Sequence, residues 1–320
     1  MRVIDYKNKE TSFLSLTSLS VIEFDYLLQY FTPQWEKHYK YHTLEGKKRL
    51  IVSYQEHKNS VLQGTDQKLF FLLVYMKSNS LQTFQGASFG ISQSKVSKIY
   101  RSLLGVLDDT LKKMGLSPCR NGEDLIHVLA KHKHQIYWYD GTETPIQRNS
   151  DRDAQEQEFS GKKRGHRLKN LVLCNVFQEI LYLSPTEAGS IHDKTLADEY
   201  PILLPKGSIL KQDLGFIGHA PQGVIIEQPY KKPPKQELDF GKMIYNKIFS
   251  STRIIIEHAN SGFKRLRMMK DVIRIHSFQI RDTLRAVACS LHNLRVKAID
   301  QKRLYQSSER ACAYVKQFSE

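Results

Sequence analysis

Three carboxylates in this sequence, Asp140, Asp213 and Glu257, stand where chemistry on phosphate is conceivable. Asp140 closes a β-rich run at 135–139 and is followed by Gly141, which exposes the strand end. Asp213 closes the short apolar run 208–212, and Gly215 follows closely. Two acids at the ends of two strands converge if those strands are neighbours. Glu257 lies in a helical run, Arg253-Ile254-Ile255-Ile256-Glu257-His258. Three converging acids suit a pair of Mg²⁺ ions, with Mn²⁺ as a substitute, because hard divalent cations take oxygen ligands and keep several waters. Two such ions roughly 3.5–4 Å apart activate a nucleophile and stabilise a leaving oxygen in phosphoryl transfer.

Each acid also has a plainer reading. An Asp at a strand end is commonly a turn former or a helix cap. Arg253, Glu257 and Lys264 fall on one helix face at about 3.6 residues per turn. That makes either a local ion-pair ladder or a metal ligand flanked by two phosphate clamps. A fourth acid, Asp193 in Ser190-Ile191-His192-Asp193, competes with Asp213 for the second position. It precedes a helical pattern at 194–200, where an Asp is a good cap, so Asp213 is the choice. His192 and His258 adjoin these acids and read as supporting or packing groups. Cys289 and His292 have a ligand-like spacing but sit in an apolar helical run, which favours core packing.

Along the chain, residues 1–64 read as helical and loosely patterned, with 20–31 the best amphipathic stretch. The run 67–77 is a dense apolar helix, Ser80 is placed to cap a short helix over 81–89, and Gly90 makes a turn. Ser92 then opens a helix to about 113, in which Val96, Ile99, Tyr100, Leu103 and Leu104 form a buried stripe. Ser94, Ser97, Lys98 and Arg101 recur on the opposite side. A short helix, a glycine turn and a helix with a polar-basic face is the pattern of a helix-turn-helix; the plainer reading is three packed helices with a solvated face. Gln93, Ser94, Lys98 and Arg101 are the residues expected to meet DNA.

Beyond a polar stretch at 118–133, taken as a domain boundary, the pattern becomes strand-like. Runs at 135–139, 171–176, 179–183, 208–212 and 223–227 read as strands, and the second and third as a hairpin. Helical patterns return at 194–200, 240–269 (in one piece or two) and 277–297, and the tail from 300 reads as one more helix. An α/β layer with a mixed sheet follows. The organisation expected is a helical region at 1–64, a helix-turn-helix domain at 65–115, a catalytic domain at 134–297 and a helical tail at 298–320.

Charge narrows the partners. Forty-eight Lys plus Arg against thirty-three Asp plus Glu leave +15, which favours a polyanion because each neutralised phosphate releases counterions. Nucleic acid leads and an anionic membrane surface is the alternative. The longest apolar run, 69–76, is far short of the roughly 20 residues that span a bilayer. Four scattered cysteines form no CxxC pair, fitting a reducing compartment. A cytoplasmic, nucleoid-associated protein is expected. Lys162, Lys163, Arg164, Arg167 and Lys169 form the densest basic cluster and are expected to grip phosphates. The stiff basic loop 230–235 has the same two readings, DNA contact or solvated loop.

Tyr139-Asp140-Gly141-Thr142-Glu143-Thr144-Pro145-Ile146-Gln147-Arg148 resembles the first catalytic segment of the DDE superfamily of transposases. The branch it resembles is the bacterial insertion-sequence-five type, related to Harbinger-type elements. The resemblance continues through Phe159-Ser160-Gly161-Lys162-Lys163-Arg164-Gly165-His166-Arg167-Leu168-Lys169, Gly189-Ser190-Ile191-His192-Asp193 and Gln212-Asp213-Leu214-Gly215-Phe216-Ile217-Gly218. It ends with Arg253, Glu257 and Lys264 in the family's R-x3-E-x6-K arrangement and a helix closing in Leu291-His292-Asn293-Leu294. Phe89-Gly90-Ile91-Ser92-Gln93-Ser94 is similar to the helix-turn-helix that usually precedes it. The resemblance spans about 65–295 in order. It implies that Asp140, Asp213 and Glu257 bind the catalytic metals, that Arg253 and Lys264 hold DNA, and that the core is ribonuclease H-like. It further implies a hydrolytic strand cut at the element's terminal repeats and 3′-hydroxyl attack on double-stranded target DNA, by a homodimer or higher oligomer. Ser250 and Phe216 stand where relatives carry tyrosines, which bears on positioning and leaves the reaction class intact. The competing classes are a DNA-binding regulator derived from such an enzyme and a nuclease that cuts without joining.

Overall fold

Apolar residues at three- and four-residue steps fold the first part of the chain into helices. A computed structural model describes residues 1–317 apart from 54, 57–58 and 131–135, and for 299–317 the backbone alone. The expected strand start at 135 and the Cys312 side chain therefore lie outside what is described. The helices are α1 (Ile4–Lys7), α2 (Glu10–Thr17), α3 (Val21–Tyr41), α4 (Thr65–Ser78), α5 (Gln82–Phe89), α6 (Gln93–Lys113) and α7 (Gly122–Leu129). Ser20 starts α3 with a capping box, its hydroxyl accepting from the Glu23 N–H while the Glu23 carboxylate accepts from the Ser20 N–H. In α4 every residue from Leu69 to Met76 is buried, as the dense apolar run requires.

Strands and helices then alternate: β1 (Ile136–Pro145), α8 (Arg152–Glu158), β2 (Phe159–Ser160), β3 (Gly165–Cys174), β4 (Ile180–Leu183), β5 (Glu187–Ala188), α9 (Asp193–Glu199), β6 (Ile209–Gln212) and β7 (Ile225–Glu227). The helices α10 (Phe240–Thr252), α11 (Ile254–Phe263), α12 (Arg267–Lys270) and α13 (Phe278–Gln317) complete the chain. The sheet order is β2-β3-β1-β6-β7, with β4 and β5 also paired to β3. β1 runs antiparallel to β3 and parallel to β6, and β6 is parallel to β7. This is the expected mixed α/β sheet flanked by helices and preceded by helices, consistent with a ribonuclease H-like core.

Four expectations are corrected. The polar stretch 118–133 contains α7, whose Leu125 and Leu129 are fully packed, and Cys119 bonds to the backbone of Leu181 and Leu183 beside the sheet. The run 240–269 is three helices. Ser251 and Thr252 hydroxyls donate back to the carbonyls of Ile248 and Phe249, which competes with helix propagation at the α10–α11 joint. The tail adds no separate helix, because α13 continues through it. Ser80 is not the cap of α5; Leu81 holds that place without a side-chain bond, and the Ser80 hydroxyl donates to Gln85.

Side-chain alternation along β1 divides the interior. Tyr137 and Tyr139 join a core with Leu171, Leu173, α7 and α9 on one face of the sheet. Trp138 on the other face belongs to a larger core that also contains Trp35, Phe70 and Leu103 from the N-terminal helices and Leu284, Val287 and Leu291 from α13. The helical part and the sheet therefore share one apolar interior, with α13 packed on α6, α3, α11 and β4.

Candidate active site

The parallel pairing of β1 with β6 ends at Tyr139 opposite Gln212, so Asp140 and Asp213 are the next residue on each strand. Asp140 is not at a strand end, as expected, but inside β1, which continues to Pro145 against β3. What stops beside it is the β6 partner. Asp213 turns out of β6 into a short 3-10 turn at Leu214–Phe216 and caps it, Oδ1 accepting from the Gly215 N–H at 2.7 Å. The Phe216 ring, at the position where a tyrosine was expected, is buried against Tyr139 with centroids 5.0 Å apart.

One guanidinium serves both acids. Arg253 Nη2 stands 3.9 Å from Asp140 Oδ1 and 3.8 Å from Asp213 Oδ2. Asn260 Nδ2 donates to Asp140 Oδ2 at 3.0 Å, while Asn260 Oδ1 is buried without a hydrogen-bond partner among the described residues. Burial, and then the neighbouring Asp213 charge, pushes the Asp140 carboxyl up to about 6; Asp193 adds to this and Arg253 opposes it.

Glu257 lies between Arg253 and Asn260 on α11, within the same helical face, and is exposed. It makes no ion pair or hydrogen bond to either aspartate among the described residues, where no three His, Cys, Asp or Glu side chains are gathered to hold a metal ion. The structure thus brings together Asp140, Asp213 and Arg253 and leaves Glu257 outside that cluster. Lys264, one to two turns further on, is half-buried; desolvation and then the nearby Arg285 lower its ammonium to about 8, against the attraction of Asp140 and Glu143.

Asp193 is not a helix cap. His192 holds the cap place of α9, with no side-chain bond, and Asp193 is the first helical residue. Its Oδ1 pairs with Lys169 Nζ at 3.0 Å. It is wedged against two glycines: a Cβ on Gly141 would lie 2.5 Å from Asp193 Oδ1, and one on Gly215 2.9 Å from both Asp193 Oδ2 and Asp213 Oδ1. The two glycines that follow the aspartates are thus the space into which a further carboxylate fits. Their presence after both acids was the available signal for Asp193; Asn260 could have been found from its offset of three from Glu257.

The basic cluster divides. Lys169 is buried and Arg167 half-buried, and both face Glu143, at 3.8 and 3.7 Å. Lys162, Lys163 and Arg164 are exposed in the turn between β2 and β3. In the helix-turn-helix, a Cβ on Gly86 would lie 2.5 Å from the Ile91 carbonyl, so glycine there lets the chain turn back between α5 and α6. Gly90 takes φ +70° in that turn. Ser92 precedes α6 but makes no cap bond; its hydroxyl meets that of Ser94. Gln93, Ser94, Lys98 and Arg101 are all exposed on α6, opposite the buried Val96, Ile99 and Tyr100. Lys98 is 3.6 Å from Glu45, and Gln93 donates to Gln82. His292 and Cys289 are buried, as the core reading expects.

No helix of the described residues is long and apolar enough to cross a membrane. Residues 139–293 match the family model described as DDE superfamily endonuclease. Residues 61–113 match the model described as helix-turn-helix of DDE superfamily endonuclease. Neither the curated proteins nor the solved structures give a match.

Proposed function

The chain belongs to the DDE superfamily endonucleases, and from that premise we propose that it is a DNA transposase, which binds the ends of its element, cuts there and joins the freed 3′-hydroxyls to target DNA. The observation that carries the reading is the pairing of Asp140 and Asp213 at one point of the sheet, close enough to share a cation, in a chain that also carries a helix-turn-helix. The donor set suits a hard divalent cation such as Mg²⁺. It offers two neighbouring carboxylates, an amide oxygen on Asn260 that lacks a partner, and Glu257 on the same face of α11. Asp140, Asp213 and Glu257 are the residues that would hold it. When bound, divalent ions would activate the attacking oxygen and stabilise the leaving one.

The remaining groups have definite tasks. Asn260 orients Asp140 through its amide N–H. Arg253, once its aspartates are otherwise neutralised, is free to hold a phosphate of the cut strand in line for attack. Lys264, on the same face, and the exposed Lys162, Lys163 and Arg164 add phosphate contacts. The face of α6 carrying Gln93, Ser94, Lys98 and Arg101 reads the terminal repeat.

The test uses purified protein, Mg²⁺ and duplexes from the DNA flanking its gene, with a supercoiled plasmid as target. Cleaved ends and joined products are expected from the wild type. Asp140→Asn, Asp213→Asn and Glu257→Gln are expected to lose cleavage and to keep end binding in gel shifts. Substantial cleavage by any one of them removes that residue from the assignment. Cut ends with no joined product would make the protein a nuclease instead.

A further inference from the structure

The segment 272–277 is pinned to the end of β1. The Ile273 N–H donates to the Pro145 carbonyl at 3.0 Å, and the Gln147 N–H donates to the Ile273 carbonyl at 3.1 Å. Its exposure alternates, with Ile273 buried and Arg274 and His276 exposed, as an extended strand requires. The same segment is tied to the turn between α4 and α5. The Arg274 guanidinium donates to the Asn79 carbonyl, and Asn79 Nδ2 donates to the Val272 carbonyl at 3.3 Å. Nearby, Lys77 Nζ donates to the Arg265 carbonyl at 2.9 Å. The strand that carries Asp140 is thus fastened to the helix-turn-helix.

Between them lies a cleft of about 470 Å³. Gln82 of α5 and Gln93, Ser97 and Arg101 of α6 form one wall, Arg274 and His276 the other, and among the described residues no acidic one lines it. Two guanidiniums with amide and hydroxyl donors around them, and no carboxylate, select an anion that is rich in acceptors. The recognition face of α6 forms part of the wall, so the anion nearest at hand is DNA backbone.

We propose that this cleft seats one backbone phosphate of the duplex read by α6, so that the recognition helix and the catalytic half grip the same DNA strand. The proposal rests on the DNA-end reading above. It gives the catalytic half a share in holding and registering the DNA that the helix-turn-helix reads. Ile146, the β1-side partner of Ile273, lies six residues beyond Asp140. At ~3.3 Å per extended residue that is about 20 Å, or roughly six nucleotide steps of ~3.4 Å. A phosphate held here therefore sets the distance between the sequence that is read and the bond that is cut.

Fluorescence anisotropy with a duplex from the DNA flanking the gene tests this, using wild type, Arg274→Gln and His276→Ala over a range of NaCl. The duplex is scanned with single methylphosphonates, which remove one phosphate charge at a time. One substitution, within about a helical turn of the cut, is expected to weaken wild-type binding about tenfold and to leave both variants unaffected. The slope of log affinity against log salt is expected to fall by about 0.9 for Arg274→Gln. Sequence preference should stay as in the wild type, because a phosphate contact carries no base information. His276 makes no bond to Asn79, so His276→Ala keeps the test decisive if Arg274→Gln disturbs packing. Wild-type affinity and an unchanged methylphosphonate profile in both variants overturn the proposal. A wild-type protein that fails to prefer this duplex over a scrambled one overturns the DNA-end reading itself, and the proposal with it.

Discussion

Arg253 and Asn260 act on the same carboxylate with opposite consequences for a cation. Arg253 sits within 4 Å of both Asp140 and Asp213, so its guanidinium competes for the oxygens that a metal ion would use. Asn260 holds Asp140 by a single bond of 3.0 Å and keeps its carboxylate facing the site. Arg253→Ala is therefore expected to bind Mn²⁺ more tightly in calorimetry while cleaving more slowly, because the phosphate clamp is gone. Asn260→Ala is expected to bind Mn²⁺ about ten- to a hundredfold more weakly, losing a hydrogen bond to a charged group of about 1.5–3 kcal/mol. Calorimetry reads both variants without any cleavage assay. Weaker Mn²⁺ binding by Arg253→Ala would show the arginine to be a structural support for the acids, and unchanged binding by Asn260→Ala would show that Asp140 is oriented without it.

Elements meet here through glycines. Gly262 of α11 faces the His292 ring of α13 so closely that an added Cβ would collide with Nδ1 and Cε1. Gly262→Ala should cost about 1–3 kcal/mol in urea unfolding, since neither helix is free to move from the shared core. A cost below a few tenths would mean that the two helices slide apart easily. His292 also makes this joint sensitive to acid. Its Nε2 is 2.8 Å from the Gln178 carbonyl, and burial lowers the imidazole from 6.5 to about 4. The unfolded chain takes up this proton near 6.5 and the folded chain resists until about 4. The contribution is complete above that upper value and lost as pH falls through the interval, by about 3 kcal/mol at the lower end. Unfolding free energies between pH 7 and pH 4.5 should fall less steeply in His292→Gln than in the wild type; parallel curves would assign the acid sensitivity elsewhere.

The shared apolar interior makes a prediction for the whole molecule. The two tryptophans lie in different parts of the chain, Trp35 in α3 and Trp138 in β1, yet both belong to the same core. Single-tryptophan variants, Trp35→Phe and Trp138→Phe, should therefore report coincident unfolding midpoints by fluorescence, as one cooperative unit does. Separate midpoints would show that the helical part and the sheet unfold independently. The same packing changes how DNA reading is best dissected. A fragment beginning near 115 would uncover the face of α13 that packs on α6 and α3. Point substitutions on the exposed face of α6 leave that interface intact.

Local pattern determined a good deal of this protein. The buried stripe of α6, the dense α4 and the helical face shared by Arg253, Glu257 and Lys264 follow from residue type and spacing, which fix periodicity and charge; the choice of Asp140 and Asp213 rests on the family resemblance. The tertiary structure decided what distance along the chain conceals. Asp193 reads as a cap from its neighbours in sequence, but its partner is Lys169 on β3 and its place is the space left by Gly141 and Gly215. Arg167 and Lys169 look like surface cations until β3 pairs with β1 and brings Glu143 against them. Asn260 is an ordinary helix residue until α11 packs on β1 and sets it on Asp140. In each case the deciding energy is an ion pair or a hydrogen bond between residues far apart in sequence, which periodicity does not encode and only the packing of strand on strand and helix on sheet can bring together.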